Sequence, residues 1–341
     1  MKAAVFESSG RIEVQDLPLP EPAPGEVRIK VLGCGVCGTD AHIYYGDIRN
    51  AEPPVVLGHE IYGQVDDLAE TVGGLQIGDP VVVDPFIYCG TCDSCKRGEY
   101  RFCERETFVG YHRQGGFAQY TCIPEANIYK IAASIGAKEA ILAETLSTVL
   151  AGLSRLQPEA GRSVLILGAG TVGLIWNALV KTSLPVTLIQ SELVPLRREK
   201  AGRLGADLVL SPRETDLRQE VRQLCPKGVD YLIDASGSTA AIEEALPLLG
   251  RGGTFLSFGI CPEEERLSIS LNWFYHRQAR FLTSRRPPRE MQRAIELLEH
   301  ERLSLSDLVT GVYPLEKIES AFQRFAGAKD QEIKMMIDPW A

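Results

Sequence analysis

Residues 163 to 183 constrain the fold more than any other stretch of this chain. An apolar run, Ser163–Leu167, leads into Gly168-Ala-Gly-Thr-Val-Gly173 and on into a second apolar segment reaching Val180. The G-x-G-x-x-G spacing is a weak signal alone. Placed after a strand and opening a helix, its glycines allow a tight turn and the close approach of a pyrophosphate to a helix N-terminus. The surroundings agree. Between about 148 and 284, candidate strands at Ser163–Leu167, Val186–Gln190, Ala206–Leu210, Tyr231–Ala235, Thr254–Phe258 and Phe281–Thr283 alternate with amphipathic segments such as Pro195–Leu204, Asp216–Leu224 and Thr239–Leu249. Strands joined by helical crossovers predict a doubly wound parallel six-stranded sheet. The apolar stretch Val164–Val180 is interrupted by glycines and falls short of a bilayer span.

The first 145 residues have a different texture. Short strand-like runs (Lys2–Glu7, Glu13–Asp16, Val27–Val36, Gly63–Leu68, Val81–Asp84, Phe117–Ile123) are punctuated by Gly and Pro, which predicts an irregular β domain. After residue 285 come two expected helices, Glu290–Glu301 and Leu315–Phe325, and a last strand, Glu332–Ile337, placed to pair back with that first domain.

Cys89, Cys92, Cys95 and Cys103 follow the spacing C-x2-C-x2-C-x7-C in a segment with almost no apolar residues. Such a segment cannot fold on its own packing, and four thiolates at these gaps close a tetrahedral zinc site with no open position. That metal is structural. A second set of ligand types lies earlier, in Cys37-Gly-Thr39-Asp40-Ala-His42 and in Gly58-His59-Glu60. Cys37, His59 and a carboxylate suit a mononuclear zinc that keeps one position for water or a substrate oxygen. For the dinucleotide, Glu192 lies nineteen residues beyond Gly173 at the end of the next strand. A carboxylate there accepts from both adenosine ribose hydroxyls and repels a 2′-phosphate, which favours NAD over NADP. Arg197 and Arg198 follow closely and pull the other way.

Taken together, Gly35–Asp40, Gly58-His-Glu60, the cysteine lobe, Gly115-Gly-Phe-Ala118, the Gly168–Gly173 fingerprint and the C-terminal return resemble a zinc-containing medium-chain dehydrogenase/reductase from end to end. The resemblance is to the branch of sorbitol, polyol, sugar-acid and threonine dehydrogenases. It implies a GroES-like irregular β-barrel catalytic domain, residues 1–147 and 285–341, carrying two zinc ions, and a Rossmann domain, residues 148–284. It also implies that Cys37, His59, Glu60 and Glu144 surround the catalytic zinc, with Glu144 touching it directly or through water. Thr39 would hydrogen-bond the substrate oxygen, and His42 would hand the proton to solvent. Gly168, Gly170, Thr171, Val172, Gly173, Glu192 and Arg197 would line the NAD site, while Tyr45, His112 and Arg286 would face substrate.

The net charge of −9 argues against a nucleic-acid partner. Expected instead are a small polar alcohol or ketone as substrate, no membrane association, a homo-oligomer and a cytoplasmic location. Glutamates around the zinc favour a polyol, sugar acid or cyclitol with a secondary hydroxyl. A threonine-type amino alcohol is the second reading, and a non-catalytic zinc scaffold of the same fold is the reading from another class.

Overall fold

The computed structural model describes residues 1–285, 289–327 and 332–341. The chain forms two compact units, Met1–Ser147 with Pro288–Ala341, and Thr148–Pro287.

The first unit is built on a long strand, β1 (Glu26–Val36). Val27, Ile29 and Val31 point into the core while Arg28 and Lys30 take the other face, the period-2 signature of a half-buried strand. β1 pairs antiparallel with Tyr120–Pro124 along its first half and with β2 (Glu60–Leu68) along its length. At its far end it pairs antiparallel with the C-terminal strand, which in turn runs parallel to Val309–Pro314. A seven-stranded sheet results. Its core includes Val27, Ile29, Ile61, Val65, Phe117 and Phe322. Helix α1 (Gly38–Tyr45) leaves the end of β1, and helix α2 (Leu142–Leu156) carries Glu144 in its first turn.

The second unit is the doubly wound sheet. Its strands are β3 (Ser163–Leu167), β4 (Thr187–Ser191), β5 (Leu208–Leu210), β6 (Val229–Asp234), β7 (Leu249–Ser257) and β8 (Arg280–Thr283). They run parallel in the order β5-β4-β3-β6-β7-β8, with the order reversing between β3 and β6. In such sheets a ligand takes the crevice beyond the carboxyl ends at that reversal. All five residues of β3 are buried, as a strand covered by helices on both faces requires. Helix α3 (Thr171–Ser183) follows β3, and helix α4 (Pro195–Arg203) follows β4.

Several boundaries differ from the sequence expectation. The helix from Thr239 ends at Ala245 and gives way to a 3-10 turn, Leu246–Leu248, because Pro247 lacks the N–H that another α turn needs. β7 accordingly starts at Leu249 and pairs with Val229, rather than at Thr254. In the first unit the strand expected at Phe117 starts at Tyr120. Phe117 instead bonds to Leu57 and Ala4 through its backbone and buries its ring.

Candidate metal and dinucleotide sites

Cys37 caps the N-terminus of α1. The carboxylate of Asp40, three residues on, accepts from the Cys37 N–H at 3.0 Å and closes a capping box. Its other oxygen lies 3.2 Å from His59 Nδ1 at the start of β2. Asp40 is fully buried, so one carboxylate ties the cysteine's backbone to the histidine's ring away from water. With Nδ1 committed, Nε2 is the ring's free donor to a metal. Burial opposes an imidazolium at His59, yet the negative charges of Asp40 and Cys37 outweigh it and raise its pKa. Phe108 and Tyr111 meet the ring edge-on at 5.3 and 5.6 Å, walling that side with aromatic carbon.

One ligand atom each from Cys37, His59 and Glu60 gathers within 4.8 Å, a spacing that one ion can bridge. Each Glu60 oxygen has a polar neighbour. Thr145 Oγ1 donates to Oε1 at 3.0 Å, and Lys334 Nζ pairs with Oε2. Gly35 faces Glu60 across the strand pair, and a Cβ at that position would run into the carboxylate and Lys334 Cε, so only glycine leaves room for the pair. Glu144 is buried nearby but outside the triad. Burial holds its carboxyl above the ordinary range, with His59 pulling it down and Glu60 pushing it further up.

The remaining sequence candidates are placed as follows. Thr39 Oγ1 lies 3.7 Å from Cys37 Sγ. His42, at the other end of α1, is half exposed, with Nδ1 3.0 Å from Asp47. Tyr45 donates its hydroxyl to the Phe322 carbonyl at 3.2 Å. His112 accepts from the Phe108 N–H through Nδ1. Arg286 lies outside the described residues. The sequence reading missed Asp40, Tyr111, Thr145 and Lys334. A lone lysine inside Ile333-Lys-Met-Met-Ile337 was the available signal, since a cation within an apolar strand needs a buried counter-charge.

The four cysteines of the lobe also bring their sulfurs within 4.8 Å of one another, with Cys89 and Cys95 Sγ 4.0 Å apart. Zinc–sulfur bonds of about 2.3 Å give a tetrahedron with edges of about 3.8 Å, so the cluster fits the ion. Backbone N–H groups of Thr91 and Cys92 lower Cys89 to about 5, and those of Glu104 and Cys95 lower Cys92. The thiolate form that zinc requires is therefore favoured at both.

In the second unit, Gly168 turns at φ 90° and Gly170 caps α3, whose first turn holds Thr171 and Val172. A Cβ on Gly173 would collide with the Gly168 carbonyl. Glu192 Oε2 accepts from the Ala169 N–H at 2.6 Å, and Oε1 accepts from Leu193 and Val194 at 2.8 and 2.9 Å. Burial lowers the pKa of Arg197, with Glu192 opposing the shift. Arg198 turns aside to Glu214 and to the Leu193 carbonyl.

Residues 23–133 match the model of the alcohol dehydrogenase GroES-like domain, and residues 171–300 match that of the zinc-binding dehydrogenases. L-threonine 3-dehydrogenase of Pyrococcus horikoshii is 35% identical over 335 residues, covering 95% of each chain. The chain belongs to the zinc-type medium-chain dehydrogenase/reductase family. Sorbitol dehydrogenase of Bacillus subtilis is 32% identical, covering 99% of this dehydrogenase and 97% of its own chain. A Sinorhizobium meliloti protein, described as a zinc-binding dehydrogenase and solved with NADP bound, superposes with a TM-score of 0.95 at 30% identity over 99% of both chains. This dehydrogenase is therefore an alcohol/polyol-type oxidoreductase that works with zinc and a nicotinamide dinucleotide. Among the described residues no helix is long and apolar enough to cross a membrane.

Proposed function

We propose that this dehydrogenase oxidises a secondary hydroxyl of a polyol, sugar acid or cyclitol, or reduces the matching ketone, with NAD as the preferred cofactor. The observation that carries the reading is the buried, charge-rich metal centre. Cys37, Glu60 and Glu144 surround one imidazole and one ammonium, and this setting suits a hydroxyl-rich substrate better than a hydrocarbon alcohol.

The first unit is the catalytic domain in this reading. Cys37 and His59 hold the catalytic zinc, with Glu60 and Glu144 as its carboxylates, and the four-cysteine lobe holds a structural zinc. When bound, zinc supplies Lewis acidity toward a substrate oxygen, and the nicotinamide supplies the hydride acceptor. The chain's own residues handle the proton. Thr39 Oγ1, beside Cys37 Sγ, hydrogen-bonds the substrate hydroxyl and, as it accepts that proton, releases its own toward the relay. His42, half exposed at the far end of the same helix, delivers it to water. Gly168–Gly173 receives the pyrophosphate. Glu192 keeps a free lone pair on Oε2 for a ribose hydroxyl, which supports NAD, while the NADP carried by the S. meliloti relative argues for testing both.

Exposed Leu271 and Tyr275, ahead of the edge strand β8, and exposed Phe281 within it give an apolar margin that supports a homo-oligomer, checked by light scattering.

The test of the activity follows absorbance at 340 nm with NAD⁺ and NADP⁺ against polyols, sugar acids, cyclitols, threonine and simple alcohols. Highest kcat/KM on a polyol-type substrate is expected. Threonine as the best substrate would establish the second reading, which the identity to the P. horikoshii enzyme favours. Silence across the panel in zinc-loaded protein would leave the scaffold.

A further inference from the structure

We propose that Gln190 is a positioning residue for the dinucleotide, its buried carboxamide clamping the two ends of the Gly168–Gly173 loop in the shape that receives a pyrophosphate. The proposal rests on the reading that the second unit binds such a cofactor.

Gln190 is fully buried on β4, where an amide is costly unless its hydrogen bonds are made. They are made to the loop. Nε2 donates to the Gly168 carbonyl at 2.9 Å and to the Gly173 carbonyl at 3.1 Å, using both of its protons. Oε1 accepts from Asn177 Nδ2 at 2.6 Å, and that nitrogen gives its second proton to the Ala201 carbonyl at 2.9 Å. Because the partners of both nitrogens include backbone carbonyls, neither amide can be turned around. The chain of bonds runs from α4 through α3 to β4 and ends on the first and last glycines of the fingerprint.

The same two glycines already approach one another so closely that a Cβ on Gly173 would strike the Gly168 carbonyl. Gln190 spans that contact from within the core. The next two residues continue the hold, the Ser191 carbonyl accepting from the Gly168 N–H at 2.8 Å and Glu192 Oε2 from the Ala169 N–H. Glu192 keeps 9% of its surface exposed, whereas Gln190 has none and cannot touch a cofactor. Its effect passes through the loop alone. A loop ordered in advance loses less conformational freedom on binding. Gln190 therefore acts on the pyrophosphate that NAD and NADP share, and not on the 2′ position that distinguishes them.

The experiment titrates the zinc-loaded, dinucleotide-free protein with NADH and with NADPH by fluorescence, first for the parent and then for Gln190→Met and Asn177→Leu. Gln190→Met keeps the volume and removes both donors. It is expected to raise both dissociation constants about tenfold and by the same factor, with cofactor KM rising more than kcat falls. Hydrogen exchange at the 168–173 amides should quicken. Asn177→Leu, which frees the other end of the amide, should weaken both cofactors about threefold. Unchanged dissociation constants in folded Gln190→Met would overturn the proposal. If that variant does not fold, unchanged constants in Asn177→Leu do so. A factor that differs between NADH and NADPH would also overturn it. Failure of the parent to bind either cofactor would instead overturn the reading on which it rests.

Discussion

Lys334 and Glu60 form an ion pair sealed from water, the side chains 4% and 1% exposed, between the last strand of the chain and the residue that follows His59. The neighbouring charges of Cys37 and Glu144 add to that of Glu60, and together they overcome the cost of burial and raise the Lys334 pKa. The metal centre thus carries its own internal cation, delivered by the C-terminal strand.

Removing that cation leaves Glu60 as an uncompensated buried charge. In the zinc-free protein, where no metal offsets that charge, Lys334→Met should lower stability by about 3–5 kcal/mol, measured by denaturant unfolding. The double variant Glu60→Gln, Lys334→Met should recover most of the loss, since both charges are then gone. Equal stability of Lys334→Met and the parent would show that the pair is not a stabilising contact.

Asp40 is expected to control metal affinity without being a ligand. Asp40→Ala frees the His59 ring and uncaps Cys37, so zinc should bind about 10–100-fold more weakly in chelator competition. Asp40→Asn keeps an acceptor and should fall between. An unaltered affinity in the alanine variant would remove Asp40 from the centre.

Glu192→Ala should change cofactor choice rather than cofactor affinity as a whole. Without the carboxylate, and with Arg197 in place, the NADP-to-NAD ratio of kcat/KM should rise by about tenfold or more. A ratio that stays put would show that the ribose is read elsewhere.

Asp84 makes a pH prediction. Burial pushes its carboxyl up to about 7, against the Phe86 N–H that accompanies Oδ1. In the unfolded chain the same group ionises near about 3.9. Between those values the native state holds a proton that the unfolded state has released, so this group's contribution to stability falls as pH rises from about 4 to about 7. Asp84→Asn keeps the bond to Phe86 and has no charge to bury. Its stability relative to the parent should therefore increase over that window, read from unfolding curves at pH 5 and pH 8. A pH-independent difference would contradict the buried, protonated state.

The local motifs were legible because each is written in a few consecutive residues. The C-x2-C-x2-C-x7-C lobe and the Gly168–Gly173 turn each depend on short-range geometry, close ligand gaps or a left-handed glycine, that spacing alone specifies. The alternation of apolar strands and amphipathic helices likewise determined the parallel sheet, and Pro247 shows how a single misread residue shifts a boundary by a turn. What only the tertiary structure decided is which distant polar groups meet. Lys334 reaches Glu60 because the last strand pairs with β1 in a register that sets Met336 opposite Gly35. Gln190 reaches Gly168 because β4 lies beside β3. Apolar neighbours can mark a charge or amide as buried without naming what it meets. Its partner is chosen by strand register and by the absence of water, and neither is written in the residues that flank it.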